Sequence, residues 1–255
     1  MNFLDCLILG IVEGLTEFLP VSSTGHMILT AKLLGLIQGE FMKSFEIIIQ
    51  LGAILAVVVL YWKRILKDKM IALKVFAAFL PTAIAGLIFY KLIKKFLLSS
   101  EVVVWSLLFG GVALILFEFW HKEKESDLSE ISQLPYSKAV MIGLFQSMAM
   151  VPGVSRAAAT IIGGLVLGVK RKTIVEFSFL LAVPTMLAAT GLDLIKNLEA
   201  FSGDQILFLA VGFFSAFVVA MASIKFLLHF IQHHNFISFG VYRILVALIF
   251  LLFVK

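Results

Sequence analysis

The chain has 255 residues, 61% of them hydrophobic, and a formal net charge of +5. A mean hydropathy of +1.07 excludes an ordinary soluble domain. The positive charge sits on loop lysines suited to lipid headgroups, which excludes nucleic acid as a partner, and the single cysteine, Cys6, excludes an internal disulfide.

Long apolar segments recur along the whole chain, so it reads as an all-α polytopic integral membrane protein, a single membrane domain over residues 1–255. The opening Met1-Asn2-Phe3-Leu4-Asp5 has no basic n-region and no small-residue cleavage site follows, so it reads as a mature first segment. An apolar run from Phe3 to Val12 is then broken by Glu13-Gly-Leu-Thr-Glu17-Phe-Leu-Pro20-Val-Ser22-Ser23-Thr24-Gly25-His26 and resumes from Met27 to Ile37. Charge within a bilayer costs about 2.5–3.5 kcal/mol per group at a helix centre on insertion scales, so two carboxylates here imply function. Glu13 and Glu17, four apart, fall on one helical face and should titrate as a coupled pair. Pro20 stops the helix. Ser22, Ser23 and Thr24 are good N-caps for a second half-helix starting near Gly25, whose free N–H groups form an anion site.

After a polar link, Gln38 to Lys43, the expected spans are Phe45 to Trp62, Ile71 to Tyr90 with a kink at Pro81, and Val102 to Trp120, with Trp105 and Trp120 at the two interfaces. His121 to Lys138 is a polar loop of mixed charge and the boundary between halves. A second broken segment follows, Ala139 to Met150 and Ala157 to Val169 around Val151-Pro152-Gly153-Val154-Ser155-Arg156. Three more spans run Ile174 to Ile195, Ile206 to Phe230 and Phe236 to Val254.

The halves echo one another. Leu9-Gly10 answers Ile142-Gly143, Glu13 answers Gln146, Glu46 answers Glu176, and with a one-residue slip Pro20 and Ser23 answer Pro152 and Ser155. The expected plan is two inverted-topology repeats (1–120 and 139–255, joined by 121–138), each a re-entrant broken helix pair plus three transmembrane helices. Eleven basic residues fall on one face (Lys63, Arg64, Lys67, Lys69, Lys74, Lys122, Lys124, Lys138, Lys170, Arg171, Lys172) and seven on the other (Lys32, Lys43, Lys91, Lys94, Lys95, Lys196, Lys255). That bias makes the first face cytoplasmic and puts both termini and the Glu13–His26 hairpin outside.

Arg156 follows a Pro-Gly break beside Ser155 and before Thr160, and its planar fork suits phosphate; the plainer reading is an ion pair with Glu13 or Glu17. Glu13 and Glu17 can hold a divalent cation or act as general base, or form a buried pair bonded to backbone and water. Ser23 beside a carboxylate is a candidate nucleophile towards phosphorus. His26 is a candidate nucleophile, general acid or phosphate donor, or a bonded core residue. Other polar residues read as structural. Thr173 to Glu176 fits a capping box, Glu46 sits in the first turn of its span, and Lys225 and Arg243 snorkel near helix ends. His229, His233 and His234 lack carboxylate or thiolate support for a metal. Gln50 and Gln146 are supporting donors.

Over essentially its full length the chain resembles the undecaprenyl-diphosphate phosphatase family, the integral-membrane bacitracin-resistance proteins. The Glu13–His26 stretch carries the first family signature, and Pro152-Gly-Val-Ser155-Arg156-Ala157-Ala158-Ala159-Thr160 carries the second, with Ala157 and Ala158 in place of the family's Ser and Gly. Lys43-Ser-Phe-Glu46 to Gln50-Leu-Gly, and Glu176-Phe-Ser-Phe-Leu-Leu-Ala-Val-Pro184, also resemble family sequence. The resemblance implies hydrolysis of undecaprenyl diphosphate to the monophosphate and phosphate, which recycles the cell-wall lipid carrier and confers bacitracin resistance, at an outward-facing site in the bacterial cytoplasmic membrane. It also implies a divalent cation, Mg²⁺ or Ca²⁺. Glu17, Ser23, His26 and Arg156 are then the expected catalytic residues. Glu13, Ser22, Thr24, Gly25, Ser155 and Thr160 join Arg156 as the diphosphate-binding set, and Glu13 and Glu17 are the metal candidates. Attack by Ser23, by His26, or by water that one of them activates stays open. The expected partners are the polyprenyl diphosphate and membrane lipids, with a homodimer left open. The competing class is an inverted-repeat transporter or flippase of a phosphorylated lipid or organic anion, and a non-catalytic lipid-binding protein is the third reading.

Overall fold

The computed structural model describes residues 1–37, 39–92, 100–196 and 203–253. Gln38, Lys94, Lys95, Val254 and Lys255, which the sequence reading places in a link, in the charge count or at a span end, lie outside the described residues. Ten α-helices follow one another, and no strand occurs among the described residues. Helix α1 (Phe3–Thr16) opens with a reciprocal cap: the Asn2 side chain accepts from the Asp5 N–H at 2.9 Å, and the Asp5 carboxylate accepts from the Asn2 N–H at 2.7 Å. After a turn comes α2 (Ser23–Leu33), and the same pattern recurs as α6 (Tyr136–Ser147), a 3₁₀ turn (Met148–Met150) and α7 (Arg156–Val166). Eleven to fourteen residues make about 16–21 Å of helix, short of the roughly 30 Å hydrocarbon core, so none of these four crosses alone.

The spanning helices are α3 (Glu40–Lys67), α4 (Lys69–Leu92), α5 (Ser100–Trp120), α8 (Arg171–Lys196) and α9 (Gly203–Phe230), all long and apolar enough to cross a membrane. The sixth expected span is the 17-residue α10 (Ile237–Phe253), apolar but shorter. The chain is therefore a multi-pass membrane protein.

The short helices are wedged between long ones. α1 lies on α9 and α6 lies on α4. Both contacts need a glycine, because the backbones nearly touch. A Cβ on Gly10 would sit 2.6 Å from the Gly212 carbonyl oxygen, and one on Gly143 would collide with the backbone of Ala78. α5 pairs with α10, and α3 packs against both α8 and α9. The largest apolar core joins both halves beneath the breaks, with Phe18 edge-on to Phe179 at 5.5 Å between ring centroids.

Several local expectations change at the end of the bundle where α3, α5 and α9 finish. The 121–138 stretch is no free loop. Ile131 and Leu134 are buried, Leu128 bridges Val169, and α6 already begins at Tyr136. Thr173 does not cap α8, which starts at Arg171; its hydroxyl donates to the Ser129 carbonyl at 2.8 Å, and Glu176 pairs with Arg64. Glu46 lies in the second turn of α3, because that helix starts at Glu40. Lys74 is buried and donates to the Ile131 and Ser132 carbonyls, while Arg171 clasps Glu118.

Candidate functional site

The two breaks have one geometry. Ser22 (φ 72°, ψ 96°) and Ser155 (φ 76°, ψ 116°) are the only non-glycine residues at positive φ among the described residues. Each caps a half-helix: the Ser22 hydroxyl accepts from the Gly25 N–H at 3.4 Å, and that of Ser155 from the Ala158 N–H at 3.2 Å. A left-handed serine costs about 1–2 kcal/mol, so the strain is held by its surroundings at both places. This pairing corrects the sequence alignment of Ser23 with Ser155. Ser22 is the counterpart of Ser155, and no slip is needed there. Ser23 and Arg156 therefore occupy the same position, the first residue of each half-helix.

Those two side chains meet on Glu17. The Ser23 hydroxyl donates to Glu17 Oε2 at 2.5 Å, and Arg156 Nε and Nη2 each lie 3.4 Å from Glu17 Oε1. Arg156 is steadied by its donation to the Ser178 carbonyl at 2.9 Å and lies over the Phe18 ring, 5.9 Å from its centroid. Both oxygens of Glu17 are thus engaged, one tightly by a hydroxyl and one loosely by a guanidinium. A carboxylate this close to a hydroxyl can take its proton, and a guanidinium held at 3.4 Å can turn its fork to a phosphate.

These groups line a cavity of about 750 Å³. Glu17, Ser22, Ser23, Thr24, Ser155 and Arg156 form one polar wall. Gln146, Thr82 and Thr185 form a second, in which the Gln146 amide donates to the two threonine hydroxyls at 2.9 and 3.1 Å. The rest is apolar, including Phe79, Ala83, Met150 and Met186, and it reaches the exposed side chains of Leu87 and Leu187. Pro81 and Pro184 lie inside α4 and α8 next to this wall.

Four expected site residues stand behind the wall. Gly25 is buried against Leu107. Thr160 is fully buried, 2.9 Å from the Arg156 carbonyl and 3.4 Å from Gln146 Oε1. His26 is bound between the Ser22 carbonyl and the Tyr242 hydroxyl, both at 2.8 Å. Glu13 is 1% exposed, and neither of its carboxylate oxygens has a hydrogen-bond partner. Ala157 and Ala158 are buried in the core under the second break.

Arg243 contradicts its reading as a snorkelling residue. It is completely buried, and its five N–H groups point at five main-chain carbonyls: Leu107 (3.4 Å), Pro20 (3.3 Å), Val154 (3.0 Å), Ser106 (3.0 Å) and Gly153 (2.8 Å). Pro20 belongs to the first break, and Gly153 and Val154 to the second. One guanidinium thus ties both turns to α5. Sequence reasoning missed it because position within a span does not reveal which carbonyls the fold leaves free. The pertinent signal was an arginine inside an apolar helix that has two broken segments to answer.

Of the two buried carboxylates, Glu13 is the one whose oxygens are free to take a divalent cation. Glu13 offers two carboxylate oxygens that have no hydrogen-bond partner. Hard cations prefer such oxygen donors and complete their shell with water and substrate phosphate. Among the described residues, no cluster of three or more His, Cys, Asp or Glu forms an all-protein cage.

Comparison with known proteins identifies the family. The sequence model of the family described as "Bacitracin resistance protein BacA" matches residues 6–249. A protein of Sulfurihydrogenibium sp. named undecaprenyl-diphosphatase is 54% identical over 252 residues, covering 99% of each chain. Proteins of the same name from Persephonella marina and Aquifex aeolicus are each 52% identical, covering 100% of both chains in the first case and 98% of this chain and 97% of the relative in the second.

Proposed function

Because the chain belongs to the bacitracin resistance protein BacA family, we propose that it is a membrane phosphatase. It hydrolyses undecaprenyl diphosphate to undecaprenyl phosphate and inorganic phosphate, returns the lipid carrier to peptidoglycan synthesis and thereby confers bacitracin resistance. The observation that carries the reading is the 2.5 Å contact of Ser23 with Glu17, opposite Arg156, on the wall of a cavity that reaches the exposed Leu87 and Leu187.

Ser23 Oγ attacks the terminal phosphorus and passes its proton to Glu17. The Oγ–P bond forms, the bridging P–O bond breaks, and undecaprenyl phosphate leaves with the proton from Glu17, which is again a carboxylate. That carboxylate then takes a proton from water, whose oxygen attacks the serine phosphate; the Oγ–P bond breaks, inorganic phosphate leaves, and the proton returns to Ser23 Oγ. Arg156 turns from Glu17 to the phosphoryl oxygens, and the free N–H groups at the start of α2 and α7 add to the neutralisation. Glu13, shared with Glu17, would hold Mg²⁺ or Ca²⁺, which supplies charge neutralisation at the diphosphate when bound. The diphosphate occupies the polar walls, and the prenyl chain leaves past Leu87 and Leu187 into the bilayer.

The architecture that places this site is read as two inverted repeats. In support, α1 meets α9 as α6 meets α4, both through a glycine, and left-handed serines head both half-helices. The excess of basic residues at one end of the bundle supports an outward-facing site with both termini outside, in the bacterial cytoplasmic membrane.

The test is phosphate release from a long-chain polyprenyl diphosphate by detergent-purified protein supplied with Mg²⁺ or Ca²⁺. Turnover that Glu17→Gln and Arg156→Ala both lose is the expected result. Binding without release would replace the phosphatase by a carrier using the same residues.

A further inference from the structure

His26 does not face the cavity, yet both of its ring nitrogens are committed. Nδ1 lies 2.8 Å from the Ser22 carbonyl oxygen, and a carbonyl can only accept, so Nδ1 carries the proton. Nε2 lies 2.8 Å from the hydroxyl of Tyr242 on α10, and the two rings are stacked, 5.4 Å between centroids and 3° from parallel. A phenol hydroxyl that donates to Nε2 fixes the Nδ1–H form of the ring. Ser22 is the strained left-handed residue directly before Ser23, and its carbonyl also accepts from the His26 backbone N–H at 3.3 Å.

The second break shows what such a turn needs for structure alone. Ser155 has nearly the same dihedral angles, caps its helix in the same way, and its carbonyl accepts from the Ala159 N–H at 3.0 Å. The residue four after the cap is alanine there and histidine in the first turn. A left-handed serine turn therefore forms without an imidazole. The imidazole and its tyrosine are an addition on the turn that carries the hydroxyl bound to Glu17.

We propose that Tyr242 is a positioning residue for the reaction: through His26 it locks the Ser22 carbonyl, and so aims the Ser23 hydroxyl at Glu17. The proposal rests on the reading of Ser23 as nucleophile. Neither Tyr242 nor His26 lines the cavity. Their loss slows the chemical step without weakening substrate binding.

The experiment uses the full-length protein in detergent with a polyprenyl diphosphate. Tyr242→Phe removes one hydroxyl and keeps the stacked ring. It should lower kcat about fivefold, the worth of one hydrogen bond, with KM unchanged. His26→Asn keeps a donor near the Nδ1 position and should retain more turnover than His26→Gln. Adding Tyr242→Phe to His26→Asn should cost nothing further, because the phenol then has no ring to orient. Wild-type kcat in Tyr242→Phe, a loss confined to KM, or the same fractional loss in the His26→Asn background would each overturn the proposal. ¹⁵N NMR of histidine-labelled protein, with the His26 signal identified by its absence in His26→Asn, reads the pairing independently of activity. Tyr242→Phe should shift that Nε2 resonance, and an unmoved resonance overturns the proposal as well. Full turnover by Ser23→Ala together with a shifted resonance would overturn the nucleophile assignment instead.

Discussion

Replacing Arg243 with lysine keeps the charge and tests whether the two broken turns share one anchor. The guanidinium uses all five donors on five carbonyls that lie in three separate segments. An ammonium has three donors on one atom and cannot bridge that spread, so at least two of the five bonds are lost in a fully buried place. At about 1.5–3 kcal/mol for each hydrogen bond to a charged group, the change should cost about 3–6 kcal/mol. In a chain of this size that lowers the thermal midpoint by at least about 5 °C, read by the fluorescence of Trp62, Trp105 and Trp120 in detergent. Phosphate release should fall with it, because Ser23 and Arg156 begin the half-helices whose preceding turns have been released. Gly110→Ala should act in the same direction, since its Cβ would lie 2.7 Å from Arg243 Cζ. A wild-type midpoint and wild-type turnover in Arg243→Lys would refute the idea of a common anchor.

Other consequences follow from the same geometry. Glu13→Gln should weaken Ca²⁺ affinity at least about tenfold in equilibrium dialysis, because it removes the carboxylate whose oxygens are unused; unchanged affinity would move the cation elsewhere. Gly143→Leu should destabilise the α4–α6 contact by about 1–3 kcal/mol or more, since the backbone of Ala78 leaves no room for a side chain, and an unshifted unfolding midpoint would contradict that close approach. At Ser22, glycine should be tolerated within a few tenths of a kcal/mol in stability, while valine, β-branched at a φ of 72°, should cost several times more. Equal midpoints for the two variants would show that the left-handed turn is not strained.

What the sequence revealed, and what it concealed, has a physical pattern. The breaks were visible because Glu13, Glu17 and Arg156 sit in segments otherwise fit for lipid, and such charges are costly enough to mean something. That Glu17, Ser23 and Arg156 converge follows from packing 139 residues apart in the chain, which local pattern can suggest but not place. Equivalence of the breaks was half legible. Hydropathy matched Gly10 to Gly143, but the Pro-Ser spacing misled, because the left-handed φ that pairs Ser22 with Ser155 leaves no trace in residue type. Thr173 looked like a cap because the capping pattern is local, yet its partner is Ser129, brought in by the fold. His26 reads from sequence as either a reacting imidazole or a bonded core residue, and the structure gives both of its ring nitrogens partners. Its second partner, Tyr242, is 216 positions away, and no periodicity connects them.

The most direct test of the account is a rapid acid quench of the wild-type protein turning over undecaprenyl diphosphate labelled with ³²P in its terminal phosphoryl group, followed by mapping of the labelled peptide. The account predicts transient label on the peptide that contains Ser23, acid-stable as a serine phosphate ester, and no label or phosphate release in Ser23→Ala. Label on His26, or undiminished phosphate release by Ser23→Ala, would contradict it.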